Sequence, residues 1–391
     1  MSLNNYKTTV SLIFLASMAT WFDFIAVLSL FASDAESGPL NIALVSTAML
    51  APPALLSKYY AKFVNKYDLK SGLLTGLVVR VILTICILLF VDSFIVVLLL
   101  LAFRSACSGI FAPQISLIAS NVADEVKPKL SAHISLANNA SKLVIPALGG
   151  ALAVSFGNPF VISLGAIILG FTCVFSFFAL QVNNVKKEKE KLMGSPIEYK
   201  HKLELAHAGL YYFLVFSMSN LLPYIFVDIG SGTLLFSIAI SCSALGNISA
   251  GIVLSKNKSN IHRLHFLKSS LLVCLLFFII YLFIAFELNY LLPIIFALTG
   301  YFSAAIQVNI TNNTISLPSE KATSYSARFQ GTQSIAMLLG PIFGVSILEF
   351  LSSEYLFLTA SLIGIVYFTS TIFINKMGMN ILGQLYHFGR L

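Results

Sequence analysis

The chain has 391 residues, of which 58% are hydrophobic and only 10% charged, with a mean hydropathy of +0.89 and a formal net charge of +8. A soluble domain is about one quarter charged, so this composition excludes a soluble enzyme and places the chain in the membrane class. The positive balance would suit nucleic acid, but its placement along the chain is a membrane-topology signal, and no nucleic-acid partner is expected.

Twelve apolar windows of roughly twenty residues follow one another, each long enough to cross a ~30 Å hydrocarbon core as a helix. They fall near 9–31, 40–60, 71–91, 93–118, 130–153, 157–180, 208–228, 233–254, 266–286, 289–316, 324–349 and 354–375. The first is full length and lacks a cleavage-site pattern, so it is expected to anchor the chain. Between the sixth and seventh windows, residues 182–207 carry a Lys/Glu run and read as a solvated, partly helical linker near the anionic inner leaflet. The predicted fold is an all-α membrane protein. It has two six-helix lobes, 1–181 and 208–391, the second ending in a short tail.

Twenty of the 24 Lys and Arg residues lie at the N-terminus, in every second loop, in the linker or in the tail. The intervening loops carry only acids: Asp34, Glu36, Asp92, Asp228, Glu287, Glu349 and Glu354. Under the positive-inside rule both termini and the linker face the cytoplasm. The expected location is a bacterial-type cytoplasmic (inner) membrane. The five cysteines lie inside apolar windows without paired spacing, which suits buried small residues and neither disulfides nor a metal site.

The second half echoes the first at an offset of 195 residues. Ser131, Ala132, Leu143, Pro146 and Gly149 meet Ser326, Ala327, Leu338, Pro341 and Gly344; upstream, Ser108, Ile115 and Glu125 meet Ser303, Ile310 and Glu320. Parallel repeats of six spans that grip a substrate near the bilayer midplane are one transporter architecture.

Two motifs carry a family resemblance. The loop after the second window, AKFVNKYDLK from Ala61 to Lys70, resembles the signature loop of the major facilitator superfamily. On that pattern Ala61 holds the small position, Asn65 the acidic one, and Lys66 and Lys70 the bases. A small residue lets two helices approach, a polar group caps a neighbouring helix, and bases anchor the loop to phospholipid. Asn65 for Asp and Leu69 for a base depart from the pattern. In the fifth window, Ile145-Pro146-Ala147-Leu148-Gly149-Gly150 resembles the antiporter motif of the same superfamily, and Gly340-Pro341-Ile342-Phe343-Gly344 echoes it in the eleventh. Pro bends a helix and frees a carbonyl, while Gly permits close packing; a purely structural kink is the alternative. Pro52-Pro53, the stretch 103–114 and Asp23 resemble the macrolide-efflux and enterobactin-exporter branch, which implies proton-driven export.

Four charges sit deep in the first half: Asp23, Arg80, Arg104 and Lys142. Each costs about 2.5–3.5 kcal/mol at a helix centre unless paired or facing water. By the offset, Arg104 matches Thr299 and Lys142 matches Met337, so the fold is built a second time without these charges. Asp23 is the expected proton-coupling group, or else a structural partner of Arg104. Arg80, on the third window, is expected at the periphery, snorkelling or structural. Lys142 shares a helical face with Asn138 and Gly149. With Arg104 and Asn138 it forms the expected substrate contacts, completed across the repeat by Gln307, Asn309, Gln330 and Gln333. Hinge or gating roles fall to Ala61, Asn65, Lys66, Lys70, Pro146, Gly149, Gly150, Gly340, Pro341 and Gly344.

The chain holds no P-loop, no H-E-x-x-H pair and no C-x-x-C. No cofactor and no metal are expected, and the protein is not expected to be an enzyme. The expectation is a monomeric, proton-coupled exporter of a small amphipathic or anionic organic molecule, siderophore-like or a drug. Uptake by symport and a non-transporting receptor of the same fold remain as alternatives.

Overall fold

The structure is a computed structural model that describes residues 3–32, 38–56, 59–60, 69–111, 114, 127–179, 199–256, 263–315 and 319–388. Among these residues all regular structure is helical. In chain order the first half contains α1 (Leu3–Ala32), α2 (Pro39–Leu55), α3 (Leu69–Leu89), α4 (Phe94–Ser108), α5 (Lys127–Phe156) and α6 (Asn158–Ala179). The second contains α7 (Tyr199–Ser219), α8 (Leu222–Asp228), α9 (Gly232–Lys256), α10 (Arg263–Ala285), α11 (Leu292–Ile315), α12 (Ser319–Leu348) and α13 (Ser353–Phe388). A 3-10 turn, Asn289–Leu291, leads into α11.

Helices are the natural outcome for such apolar runs, because in hydrocarbon every backbone N–H and C=O must be satisfied within its own segment. Nine of the described helices are long and apolar enough to cross a membrane, or ten if the bent pair α7–α8 counts as one span. Each predicted window carries a helix, but several bounds differ. α7 begins at Tyr199, nine residues inside the predicted linker, because Leu203, Leu205 and Ala208 give this charged stretch an apolar face. It then breaks before α8 with a 43° bend. Pro223 causes the break: its ring collides with the carbonyl four residues back and it donates no backbone bond. α4 ends at Ser108, where Tyr60 occupies the space that a side chain on Gly109 would need. α13 runs on to Phe388, through the predicted tail. Gly157 turns α5 into α6 within one residue at φ 87°, a left-handed conformation that glycine adopts cheaply.

The packing of the first half recurs in the second. α1 lies against α5 and α6, α2 against α4, and α3 against α6 and α4; α7 lies against α12, α9 against α11, and α10 against α13 and α11. Close approach is built from small residues. A side chain on Gly246 or Gly300 would strike the carbonyl of Ala297 or Ser243, so α9 and α11 run backbone to backbone. At the position matching Gly300, Ser105 of α4 donates to the Met49 carbonyl of α2 at 2.5 Å.

Between the halves, α5 packs on α9, α2 packs on α12, and α8 touches α1 and α2. Ser46 donates to the Asn220 carbonyl at 2.8 Å, the Ala147 amide donates to Ser241 Oγ at 3.1 Å, and Gly150 presses on Ser237. These contacts lie toward the end where α1 passes to α2 and α5 to α6. Toward the other end, Asn138, Gln307, Arg328 and Gly331 are exposed.

Candidate functional site

Three helices of the first half bring the buried charges together. α1 presents Thr20 and Asp23, α3 presents Arg80 and Thr84, and α4 presents Arg104, Ser105 and Ser108, each set at helical spacing. Arg104 Nη1 stands 3.0 Å from Asp23 Oδ2 and donates to Thr84 Oγ1 at 3.1 Å. Arg80 Nη2 donates to Thr20 Oγ1 at 3.1 Å. Each threonine is aimed by its own helix: Thr84 donates to the Arg80 carbonyl and Thr20 to the Ala16 carbonyl, both at 2.8 Å. Their lone pairs are thereby turned to the guanidinium groups.

Asp23 is 1% exposed, and neither carboxylate oxygen accepts a hydrogen bond among the described residues. The pair is therefore held by charge attraction, which is strong in so low a dielectric. Behind it, α6 passes so closely that a Cβ on Gly165 would lie 2.8 Å from Asp23 Oδ1. The space enclosed by this cluster is about 50 Å³, enough for a few water molecules and well below the ~300 Å³ of the smaller organic pockets.

Of the two expectations for Arg80, snorkelling or structural, the first is overturned. Arg80 is 7% exposed and faces the same space as Asp23 and Arg104, so it does not snorkel. A helix wheel cannot reveal this, because its partner, Thr20, is uncharged and lies on another helix.

Lys142 belongs elsewhere. Its Nζ sits 5.7 Å from the centroid of Trp21, a cation–π contact, and Trp21 meets Phe24 edge to face at 5.4 Å. Asn138 is exposed one turn away on α5. In the second half the amides gather on Tyr212 of α7. Its hydroxyl donates to Gln307 Oε1 at 2.7 Å, with Gln333 beside it. The Tyr212 ring stacks on Phe216 and meets Phe329 edge to face. Asn309 is 1% exposed, turned into the helix packing. The side chain of Gln330 lies outside the described ones.

The proline–glycine motifs form helix contacts. Pro146 is buried, Gly149 rests on Phe22 and Gly150 on Ser237. Pro341 is buried too, and Gly340 and Gly344 meet the backbone of α7 at Phe213 and Ser217. Lys70 reaches the Phe177 ring of α6 at 5.4 Å. Ala61, Asn65 and Lys66 lie outside the described residues.

Sequence reasoning missed two buried polar groups at the start of α7. Glu204 is 9% exposed and His207 only 2%, and His207 Nδ1 is 2.8 Å from the Tyr367 hydroxyl of α13. The continuous charge run disguised them as linker. The signal available was their i, i+3 spacing with Tyr211 a further turn on.

Among the described residues no group of three His, Cys, Asp or Glu could hold a metal ion. A larger cavity, about 560 Å³, lies between α1, α5 and α6, with Val10, Phe14, Leu136 and Phe171 among its apolar walls. It gathers none of the polar residues singled out above. Several of its walls are exposed, so acyl chains fill it as readily as a ligand.

Comparison with known proteins agrees with this architecture. The family model of the Major Facilitator Superfamily matches residues 9–267. An uncharacterized MFS-type transporter, YfiS of Bacillus subtilis (strain 168), is 26% identical over 207 residues; the match covers 50% of this chain and 49% of that one. The chain thus matches about half the length of this curated relative. Among solved structures, a POT family transporter in complex with a thioalcohol-conjugated peptide superposes with a TM-score of 0.75 at 12% identity, over 94% of this chain and 96% of that one. A bacterial homolog of the human lysosomal transporter Spinster, inward-facing and occupied, gives 0.73 at 12% over 96% and 98%. A mutant of the nucleoside transporter NupG gives 0.70 at 11% over 93% and 99%. At such identities the likeness concerns the fold alone.

Proposed function

The chain belongs to the Major Facilitator Superfamily, and from that membership we propose that it is a proton-coupled exporter of a small amphipathic or anionic organic molecule. The observation that carries this reading is the Asp23–Arg104 ion pair, buried at 3.0 Å, in which Asp23 accepts no hydrogen bond among the described residues. A carboxylate held by charge alone is the group whose protonation changes its surroundings most. Loading a proton on Asp23 releases Arg104, and returning the proton restores the pair.

Alternating access supplies the rest of the cycle. Two six-helix lobes, 1–181 and 208–391, rock about a central site, with twelve spans and both termini in the cytoplasm of a bacterial-type inner membrane. The repeated helix pairings support two lobes, and the second takes in residues 199–207 as the start of α7. The charge bias makes the end that holds the Ser46–Asn220 and Ala147–Ser241 contacts the external one. On that orientation the contacts between the halves lie outside and the exposed Asn138 and Gln307 lie inside, which supports an inward-open state ready to receive cargo from the cytoplasm.

Cargo contacts fall to Lys142 and Asn138 on one side and to Gln307 and Gln333, grouped on Tyr212, on the other. Lys142 favours a carboxylate or other anion, and the aromatic surround of Trp21, Tyr212 and Phe329 favours an amphipathic one. Arg104 is assigned to Asp23 and not to cargo, because the space beside it is too small for an organic molecule. The exporter direction follows the resemblance of Pro52-Pro53 and Asp23 to the macrolide-efflux and enterobactin-exporter branch.

The test is substrate flux in inverted and right-side-out vesicles, with and without a protonophore. Export predicts accumulation in inverted vesicles that the protonophore abolishes. Accumulation in right-side-out vesicles alone would make the protein an uptake symporter. Binding without counterflow would make it a receptor.

A further inference from the structure

The charge cluster contains more positive than negative charge. Arg80 and Arg104 bring two positive charges against the single negative charge of Asp23, and among the described residues the other walls of the 50 Å³ cavity are neutral: Thr20, Met49, Leu101, Ser105 and Ser108. Among the described residues, the adjoining space of about 10 Å³, which Arg80 shares with Gln114, adds no charge either. Both arginines are more than nine-tenths buried, at 7% and 6% exposed. Arg80 Nε has no hydrogen-bond partner among the described residues. The hydroxyls of Thr20, Ser105 and Ser108 already donate to backbone carbonyls, so the donors left for a ligand are guanidinium N–H groups.

We propose that this cavity is a binding site for one small monovalent inorganic anion, held between Arg80 and Arg104 beside Asp23. Charge decides the sign of the ligand, because an uncompensated cation inside a membrane protein is neutralised most directly by one anion. Volume decides its size: about 50 Å³ admits a small ion or a few waters and excludes organic cargo. Water alone would fill the space but leave the charge. A divalent anion would overcompensate it. The site is distinct from the cargo contacts at Lys142, which does not line this cavity. It is also linked to Asp23, since removing the carboxylate charge leaves two uncompensated cations and strengthens the attraction.

Chloride is the probe. Purified full-length protein in detergent is compared in chloride and gluconate at constant ionic strength, without cargo or gradient. Thermal unfolding and the fluorescence of Trp21, the sole tryptophan and two residues from Asp23, are recorded. The proposal expects a saturable rise in Tm and a saturable fluorescence change with chloride but not with gluconate. Arg80→Gln should remove the chloride response, Arg80→Lys should keep it, and Asp23→Asn should tighten chloride by at least about tenfold. Equal Tm and fluorescence in the two salts would mean that the cavity holds water only and would overturn the proposal. So would an undiminished response in Arg80→Gln; should that variant fail to fold, an unchanged chloride affinity in Asp23→Asn has the same force. None of these readings involves proton-driven flux, so the coupling role of Asp23 stands or fails separately.

Discussion

Asp23 has two neighbours that constrain it differently. Arg104 holds it by charge at 3.0 Å, while Gly165 leaves it room on α6. Asp23→Asn should therefore abolish proton-driven accumulation yet preserve substrate exchange, measured as counterflow in vesicles. Accumulation against a gradient by this variant would make Asp23 structural. Gly165→Ala tests the same geometry from behind. Its Cβ would come within 2.8 Å of Asp23 Oδ1, so the carboxylate must shift; coupled flux should fall about tenfold, with a stability loss of about 1–3 kcal/mol in thermal unfolding. Lys142→Gln should weaken an anionic cargo by roughly tenfold in equilibrium binding, the loss expected for a charged hydrogen bond. Much of this was legible beforehand: four charges in apolar windows must find partners, and Asp23 and Arg104 are an obvious pair. What periodicity cannot supply is which faces of different helices meet. Periodicity alone therefore leaves Arg80 at the edge and groups Lys142 with charges that it does not join.

Helices here pack by subtraction of side chains. α12 meets α7 at Gly340 and Gly344, where an added carbon would collide with the backbone at Phe213 and Ser217. Gly344→Leu should cost about 1–3 kcal/mol, seen as a lower unfolding temperature in detergent, whereas Gly331→Leu, in open space on the same helix, should be close to neutral. Equal effects would remove the packing account of the proline–glycine motif. The glycines were visible in the sequence as a repeated motif, but its purpose was not, because a kink, a hinge and a close contact look identical in one dimension. Each apolar window carries a helix, since hydrocarbon imposes length and composition together, and nine or ten of the described spans are long enough to cross a membrane. The start of α7 was lost to its charges. Glu204 and His207 look like linker until the helix rotates them inward, where His207 meets Tyr367.

At the scale of the molecule, orientation and state are both open to measurement. Cysteines at Gly38 or Ser352 should react with an impermeant thiol reagent from outside, and one at Gly194 should not. Ser352 is exposed, whereas its neighbour Ser353 is 1% exposed and donates to Asp228 Oδ2 at 2.6 Å. Reversed labelling would overturn the topology. Gly150→Leu should wedge α5 from α9 at the closed end, so that a cysteine at Ser241, shielded in the unmodified background, gains reactivity from outside. No gain would mean that this contact does not hold the end shut. The two halves differ in one further respect: Asp23, Arg80, Arg104 and Lys142 all belong to the first. A membrane potential of 100 mV acts on each elementary charge with about 2.3 kcal/mol across the full bilayer. It therefore pulls on one lobe and hardly on the other, and rocking becomes a displacement of charge. Turnover should then depend on voltage even for a neutral cargo, with the first lobe acting as the electrode of its own cycle.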